Sequence, residues 1–290
     1  MVKVIKKQLK KITPLRLFYY YILNAKRRIA VTFDQIRAKH WGHQKYNKFI
    51  ILSTARTGTN YIKSLLNAHE NTIAFGEIFR NKKQIGWDFP GYNPKKHFNT
   101  FIDSPIKFIT KHLFIKYPKE VKAVGFKIFY HHAGDILNNG SVWEFLKNDP
   151  SIKIIHIHRQ NSLATHLSLR KAFKFDNWKN TEGEKKEIIK IDLDYNDCLK
   201  AFNDIDHWAE YANNYFKDHK ILNILYEDFS NPTLEVPIDQ QLFKFLDLEP
   251  TKVASKTFKQ GTGKLNEQII NYYELKEKFK HTKFSQFFID

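Results

Sequence analysis

Five short runs of apolar residues with almost no polar interruption recur along the chain: NKFIILS (47–53), NTIAFG (71–76), VKAVGFKIFY (121–130), SIKIIHIH (151–158) and KILNILYE (220–227). A strand with one face in water alternates apolar and polar residues, whereas a strand covered on both sides does not. These runs therefore predict a parallel sheet buried on both faces. Parallel neighbours must be joined by long crossovers, which are usually helical. The intervening chain supplies them: Ile62, Leu65 and Leu66 follow the first run at helical spacing, and 196–217 carries Leu199, Phe202, Ile205, Trp208, Ala209 and Tyr215 along one periodic stretch. The expected architecture is an α/β fold with a central, mostly parallel sheet and helices on both faces. With 42% apolar residues in 290, the chain can bury a large core and has none of the composition of disordered or collagen-like sequences.

Two stretches break the strand and helix order. Residues 80–120 mix Pro, Gly and aromatics, and 174–196 is charged. Insertions of this length in a compact domain are lids, partner loops or flexible decoration. Trp87, Tyr92 and Trp178 within them are candidate faces for stacking on a sugar ring. Residues 1–45 form a basic segment expected to be helical, and 46–290 a single folded domain. The apolar run 17–23 is too short to span a bilayer and has no small-residue cleavage site, so neither a secretory signal nor a transmembrane helix is expected. The segment reads either as an amphipathic packing helix or as a helix lying on an anionic membrane surface. A single cysteine, Cys198, excludes an intramolecular disulfide and a thiolate metal cluster and is expected to pack on a helix. It fits a reducing compartment, so the expected location is cytoplasmic, with peripheral membrane contact left open.

Lys and Arg number 48 against 30 Asp and Glu, a net charge of +18 that gathers anions without saying which: nucleic acid, an acidic membrane surface or a phosphorylated small molecule. Eight of those cations are Arg, in a chain that otherwise uses Lys. A guanidinium binds phosphate bidentately and an ammonium does not, so the positions that keep Arg are informative. Arg56 lies in Ser53-Thr54-Ala55-Arg56-Thr57-Gly58-Thr59-Asn60, where a parallel strand hands over to a helix. Unpaired N–H groups, the Thr57 and Thr59 hydroxyls and the guanidinium converge there, and Gly58 lets the backbone approach a phosphate closely. The alternative is a plain turn using Gly and Thr for geometry and capping. The leading glycine and the lysine of a nucleotide-kinase loop are missing, which disfavours ATP hydrolysis. Arg159 ends the fourth run in HIHRQNS, at the carboxyl end of a strand, where open α/β sheets bind ligands; the alternative is an Arg that caps the next helix or pairs with a Glu.

Taken together and in this order, the two motifs resemble those of the sulfotransferases that use 3′-phosphoadenosine 5′-phosphosulfate (PAPS). FGEIF (75–79), VGFKIFYHH (124–132), ILYEDF (224–229) and KLNEQIINYYEL (264–275) are similar to the bacterial carbohydrate branch of that superfamily, of nodulation-factor, trehalose and lipopolysaccharide type. The resemblance covers roughly 46–290. It implies a P-loop-like three-layer fold and an enzyme that moves a sulfuryl group from PAPS to a hydroxyl of a carbohydrate or glycolipid, with no metal. It implies that Arg56, Thr57, Gly58, Thr59 and Asn60 hold the 5′-phosphosulfate and that Arg159 with Ser168 holds the 3′-phosphate. Many members space that Arg and Ser by one residue less, so Gln160 is the alternative to Arg159 and Ser162 the alternative to Ser168.

In-line sulfuryl transfer needs a base for the acceptor hydroxyl and positive charge around the sulfuryl oxygens and the leaving phosphate. Glu77 ends the second run, on the same rim as Arg56, and the resemblance also places a base there; the alternative is a capping or ion-paired Glu. His131 and His132, just past the third run, compete for that role. Lys127 is a candidate contact for the transferred group or leaving oxygen, or else an ordinary surface lysine. Tyr226 either lines the nucleotide pocket or packs in the core. Lys259, Gln260 and Lys264 stand in KQGTGKL, similar to the family's loop over the nucleotide. His156 and His158 project to one face of their strand and read as a flank of the Arg159 pocket or as core. A basic nucleic-acid or anionic-surface binding module without catalysis is the alternative function, although no nucleic-acid reader motif is present.

Overall fold

The computed structural model describes residues 36–38, 40–80, 85–86, 97–138, 140–176, 188–231, 233–255 and 263–288. Most of the basic N-terminal segment, Trp87, Tyr92, Trp178, Lys259 and Gln260 lie outside the described residues. Strands β1 (Asn47–Ser53), β2 (Thr72–Glu77), β3 (Ala123–Phe129), β4 (Lys153–His158) and β5 (Ile221–Leu225) fall on the five apolar runs: the first coincides with its run, the second is offset by one residue, and the other three are shorter than theirs. They form one sheet in the order β2-β3-β1-β4-β5, and every pairing is parallel. The helices are α1 (Thr59–Leu66), α2 (Phe98–Asp103), α3 (Pro105–Phe108), α4 (Ser141–Lys147), α5 (Ser162–Phe175), α6 (Tyr195–Tyr215), α7 (Ile238–Phe245), α8 (Leu265–Gln268) and α9 (Tyr272–Phe279). Among the described residues no helix is long and apolar enough to cross a membrane.

The absence of alternation in the runs has the expected cause. Along β1, Ile50 and Leu52 enter a core with Phe126, Ile128 and Trp143 on one face of the sheet. Phe49 and Ile51 enter a second core on the other face, with Ile62 and Leu65 of α1 and Leu242 and Phe243 of α7. All four β1 side chains are fully buried, and each such burial contributes roughly 1.5–3 kcal/mol relative to exposure. A third cluster joins α5, α6 and α9 through Leu163, Phe202, Leu275 and Phe279. Cys198 belongs to it, and burial pushes its thiol up to about 12, which leaves it protonated and inert.

Two buried histidines sit just under the carboxyl rim of the sheet. His132 turns inward after β3: its Nδ1 accepts from the Phe129 N–H at 3.1 Å, and its carbonyl accepts from Trp143 Nε1 at 2.9 Å. His156 of β4 has Nε2 2.7 Å from the Tyr130 hydroxyl and Nδ1 3.0 Å from Asn213 Oδ1. The His158 ring lies beside it at 3.9 Å, so the two β4 histidines do share one face. Burial, reinforced by neighbouring cations, holds His132 down to about 2, and burial with His158 holds His156 down to about 3.

Gly125 of β3 is opposite Phe49 in register, and a Cβ there would lie 2.2 Å from the Phe49 carbonyl oxygen. Gly125→Ala is expected to destabilise the protein by roughly 1–3 kcal/mol through overpacking, read as a lower urea midpoint. The histidines predict an acid response. The unfolded chain protonates both near pH 6.5 while the native state does not, so stability falls as pH drops from about 6.5 towards 3. Each histidine adds a slope of about 1.4 kcal/mol per pH unit, and urea midpoints measured between pH 7 and 5 should flatten by that amount in His132→Gln. An unchanged slope in the variant contradicts this account.

Candidate functional site

β1 is central, so the turn that follows it opens onto the middle of the carboxyl rim. Arg56 and Gly58 are both left-handed, with φ of 71° and 79°. This conformation is ordinary for glycine but costs an arginine of order 1 kcal/mol, a strain that clusters at functional sites. Gly58 is the N-cap of α1, and no side chain among the described residues caps that helix. Its first-turn N–H groups, at the positive end of the helix, therefore favour an anion. A Cβ on Gly58 would lie 2.2 Å from Phe229 Cε2, so the turn closes only around glycine. Ser53 Oγ donates to the Ile157 carbonyl at 2.6 Å and pins the turn to β4. The Thr57 hydroxyl donates to the Thr54 carbonyl at 3.0 Å and lies 2.6 Å from Ser53 Oγ. Expected as a donor to phosphate, that hydroxyl is engaged inside the turn. Thr59 is likewise buried, and Asn60 Oδ1 accepts from Lys127 Nζ at 2.7 Å.

β4 delivers Arg159 to the same place. Its Nη1 donates to the Arg56 carbonyl at 3.3 Å, its guanidinium lies 4.4 Å from the Tyr226 ring centroid, and its Nε is buried with no hydrogen-bond partner among the described residues. Arg56 Nε donates to Ser168 Oγ at 2.9 Å, so Ser168 stands beside Arg56. Burial lowers the pKa of both guanidinium groups, and the charge of Arg159 lowers that of Arg56 further. Among the described residues no carboxylate forms an ion pair with Arg159. The capping alternative for Arg159 does not hold, because Asn161 caps α5 by accepting from the Ala164 N–H at 2.9 Å. Gln160 is exposed, and Ser162 is buried in the first turn of α5.

On the other side of β1, a register shift between Phe75 and Glu77 places Glu77 opposite Lys127. The two form an ion pair at 2.9 Å, and Lys127, which also lies 5.3 Å from the Phe129 ring, is only 2% exposed. The surface-lysine alternative is thereby corrected: a buried ammonium needs partners, and Glu77 and Asn60 supply them. The second carboxylate oxygen of Glu77 is 4.0 Å from Arg80 Nε. His131 stands on this rim, its imidazole held below the ordinary value by desolvation against the pull of Asp135 and Glu77. His132 points into the core and is removed from contention as a base. Lys264 is the N-cap of α8, where its N–H donates to Glu267 Oε2 at 3.0 Å.

Sequence reasoning named Tyr226 but missed the two aromatics beside it, Tyr61 and Phe229. Tyr61 stacks on Phe229 at 5.2 Å, and Phe229 packs edge-on against Tyr226 at 5.4 Å. Two aromatics three apart in LYEDF were the available signal, since a helical turn brings such a pair together.

No family model matches the chain. It is similar to nodulation protein H of Rhizobium tropici, 26% identical over 250 residues that cover 83% of this chain and 92% of that protein. It is equally similar to nodulation protein H of Rhizobium meliloti strain 1021, 26% identical over 250 residues covering 83% and 94%. The crystal structure of a sulfotransferase from Alicyclobacillus acidocaldarius superposes with a TM-score of 0.48 at 14% identity, covering 81% of this chain and 91% of that one. Over most of its length the chain is thus similar to nodulation protein H of two rhizobial species.

Proposed function

We propose that this protein is a sulfotransferase, which takes the sulfuryl group from PAPS and passes it to a hydroxyl of a carbohydrate or glycolipid. The reading rests above all on Arg56 and Arg159, which meet at one rim of one sheet with a backbone carbonyl between them and, among the described residues, no carboxylate ion-paired with Arg159. Two like charges in a partly buried site are satisfied by an anion with more than one negative centre. The residues fit such a donor. The uncapped start of α1 and Arg56 face one phosphate position. Arg159 with its orphaned Nε faces another, with Ser168 beside Arg56, and the ring faces of Tyr226, Phe229 and Tyr61 offer an aromatic bed for a purine.

Glu77 is the proposed base. One of its oxygens is held by Lys127 at 2.9 Å, and the other, 4.0 Å from Arg80 Nε, is the one that accepts the acceptor's proton in this reading. As the acceptor oxygen bonds to sulfur, the bond from sulfur to the leaving phosphate oxygen breaks. The proton passes to Glu77, and 3′-phosphoadenosine 5′-phosphate (PAP) departs. Neutralising Glu77 unmasks the Lys127 charge beside Asn60 at the moment the leaving phosphate gains charge, which favours the transition state. His131 is the reserve candidate for the base.

Calorimetric titration with PAP tests the donor site. Arg56→Ala and Arg159→Ala should each weaken binding by about 1.5–3 kcal/mol, roughly ten- to a hundredfold in Kd, and unchanged affinity in both rejects the assignment. Glu77→Gln should keep PAP affinity and lose about 10²–10⁴-fold in turnover. Retained turnover moves the base role to His131.

A further inference from the structure

The residues that lead into β1 form a corner at the amino end of the sheet, opposite the rim that carries Arg56 and Arg159. The corner is held firmly. His43 and Tyr117 exchange backbone hydrogen bonds at 2.9 and 3.0 Å, and His43 Nε2 lies 2.9 Å from the Val121 carbonyl oxygen. Gln44 Nε2 donates to the Phe114 carbonyl at 3.0 Å, and the Tyr46 hydroxyl to the Ile115 carbonyl at 2.8 Å. Just before this anchorage Ala38 is buried, yet Ile36 is 54% exposed and Trp41 70%, more than any other large apolar side chain among the described residues. The indole has the tilted His40 ring beside it at 5.7 Å. One apolar ring in water is ordinary on a protein surface, and it is the surroundings that single this one out.

Lys45, Lys116, Lys119 and Lys122 are exposed at the same corner, and none forms an ion pair among the described residues. The one acid between them, Glu120, is taken by Arg37 at 2.7 Å. The chain that enters the corner continues the pattern. Residues 1–45 hold twelve Lys and Arg against the single acid Asp34, which is eleven of the eighteen net positive charges, and the apolar run LFYYYIL (17–23) stands between their basic clusters. Unpaired lysines draw such a surface to an anionic one, and an indole settles at the depth of lipid headgroups, where its ring is in apolar surroundings and its N–H stays wet. Charge and apolar contact together hold a protein on a bilayer where either alone is weak. A nucleic acid uses the charge and can stack on Trp41, but it has no use for Ile36 or for the aliphatic residues of 17–23.

We propose that this corner docks on the surface of an anionic phospholipid membrane, with Trp41 and Ile36 among the headgroups and Lys45, Lys116, Lys119 and Lys122 over the lipid phosphates. The proposal is independent of the sulfuryl-transfer reading. The sheet gives it a direction: all five strands run away from this end, so the membrane lies behind their amino ends and the rim with the two arginines faces water.

The test is co-sedimentation of the full chain with vesicles of phosphatidylcholine alone and of phosphatidylcholine with about 30% phosphatidylglycerol, beside titration of a fluorescent duplex oligonucleotide. Binding to the anionic vesicles is expected, weakening as salt is raised, and at least about tenfold weaker on the neutral ones. Lys116→Gln, Lys119→Gln and Lys122→Gln together should weaken it by about tenfold or more, and Trp41→Ala by about fivefold. Brominated lipid in the anionic vesicles should quench tryptophan emission of the parent protein more than that of Trp41→Phe. All four side chains are exposed, so urea midpoints of the variants should match the parent. Should one of them unfold, the conservative Trp41→Phe carries the test through quenching. No binding to anionic vesicles, equal binding to neutral ones, affinity unchanged in either folded variant, or quenching unchanged in Trp41→Phe overturns the proposal. So does a loss in Trp41→Ala as large for the oligonucleotide as for the vesicles, because the corner then serves nucleic acid.

Discussion

Arg159 rests against Arg56 with a carbonyl between them, a tyrosine ring on its flank and, among the described residues, no ion-paired carboxylate. Two cations brought together in a half-buried space repel each other, and burial removes the water that would screen them. The fold holds them there regardless, because Ser53 ties the Arg56 turn to β4 and the β1–β4 pairing sets where β4 ends. The left-handed backbone at Arg56 adds to that cost. Such an arrangement is relieved by a bound anion, and the uncapped helix behind Gly58 points its positive end at the same space.

The charge on the other side of β1 is organised differently. Lys127 is as deeply buried as the core around it, but its ammonium is neutralised by Glu77 and fixed by Asn60. The bulge at the end of β2 is what makes this pairing possible, since it advances Glu77 to meet Lys127 across the ladder. Asn60 belongs to the first turn of α1, so the proposed base and the proposed phosphate turn are joined through one lysine. A change in either is felt by the other through two hydrogen bonds.

Next to Arg159 the rim changes character. The buried histidines of β4 and the hydroxyls at the start of α5 carry no charge, and α6 closes the space opposite them. One rim thus offers a cationic region in the turns after β1 and β4 and an ion-paired region on β2 and β3. This is the usual economy of open α/β sheets, in which strand ends that differ in sequence are brought side by side.

The strands, their burial on both faces and the helices between them were legible in the sequence, because apolar runs without alternation have one physical solution in a chain of this size. The two arginine turns were legible too, since each directly follows such a run. The order of the strands was not, and that order decides that Arg56 meets Arg159 while Glu77 meets Lys127. Neither was the inward turn of His132 and of the Thr57 hydroxyl, nor the packing of Phe229 into the place of a Cβ on Gly58. Local sequence determines which residues end a strand and what chemistry they carry. Which of them become neighbours depends on contacts between segments a hundred residues apart, and only the assembled sheet decides that.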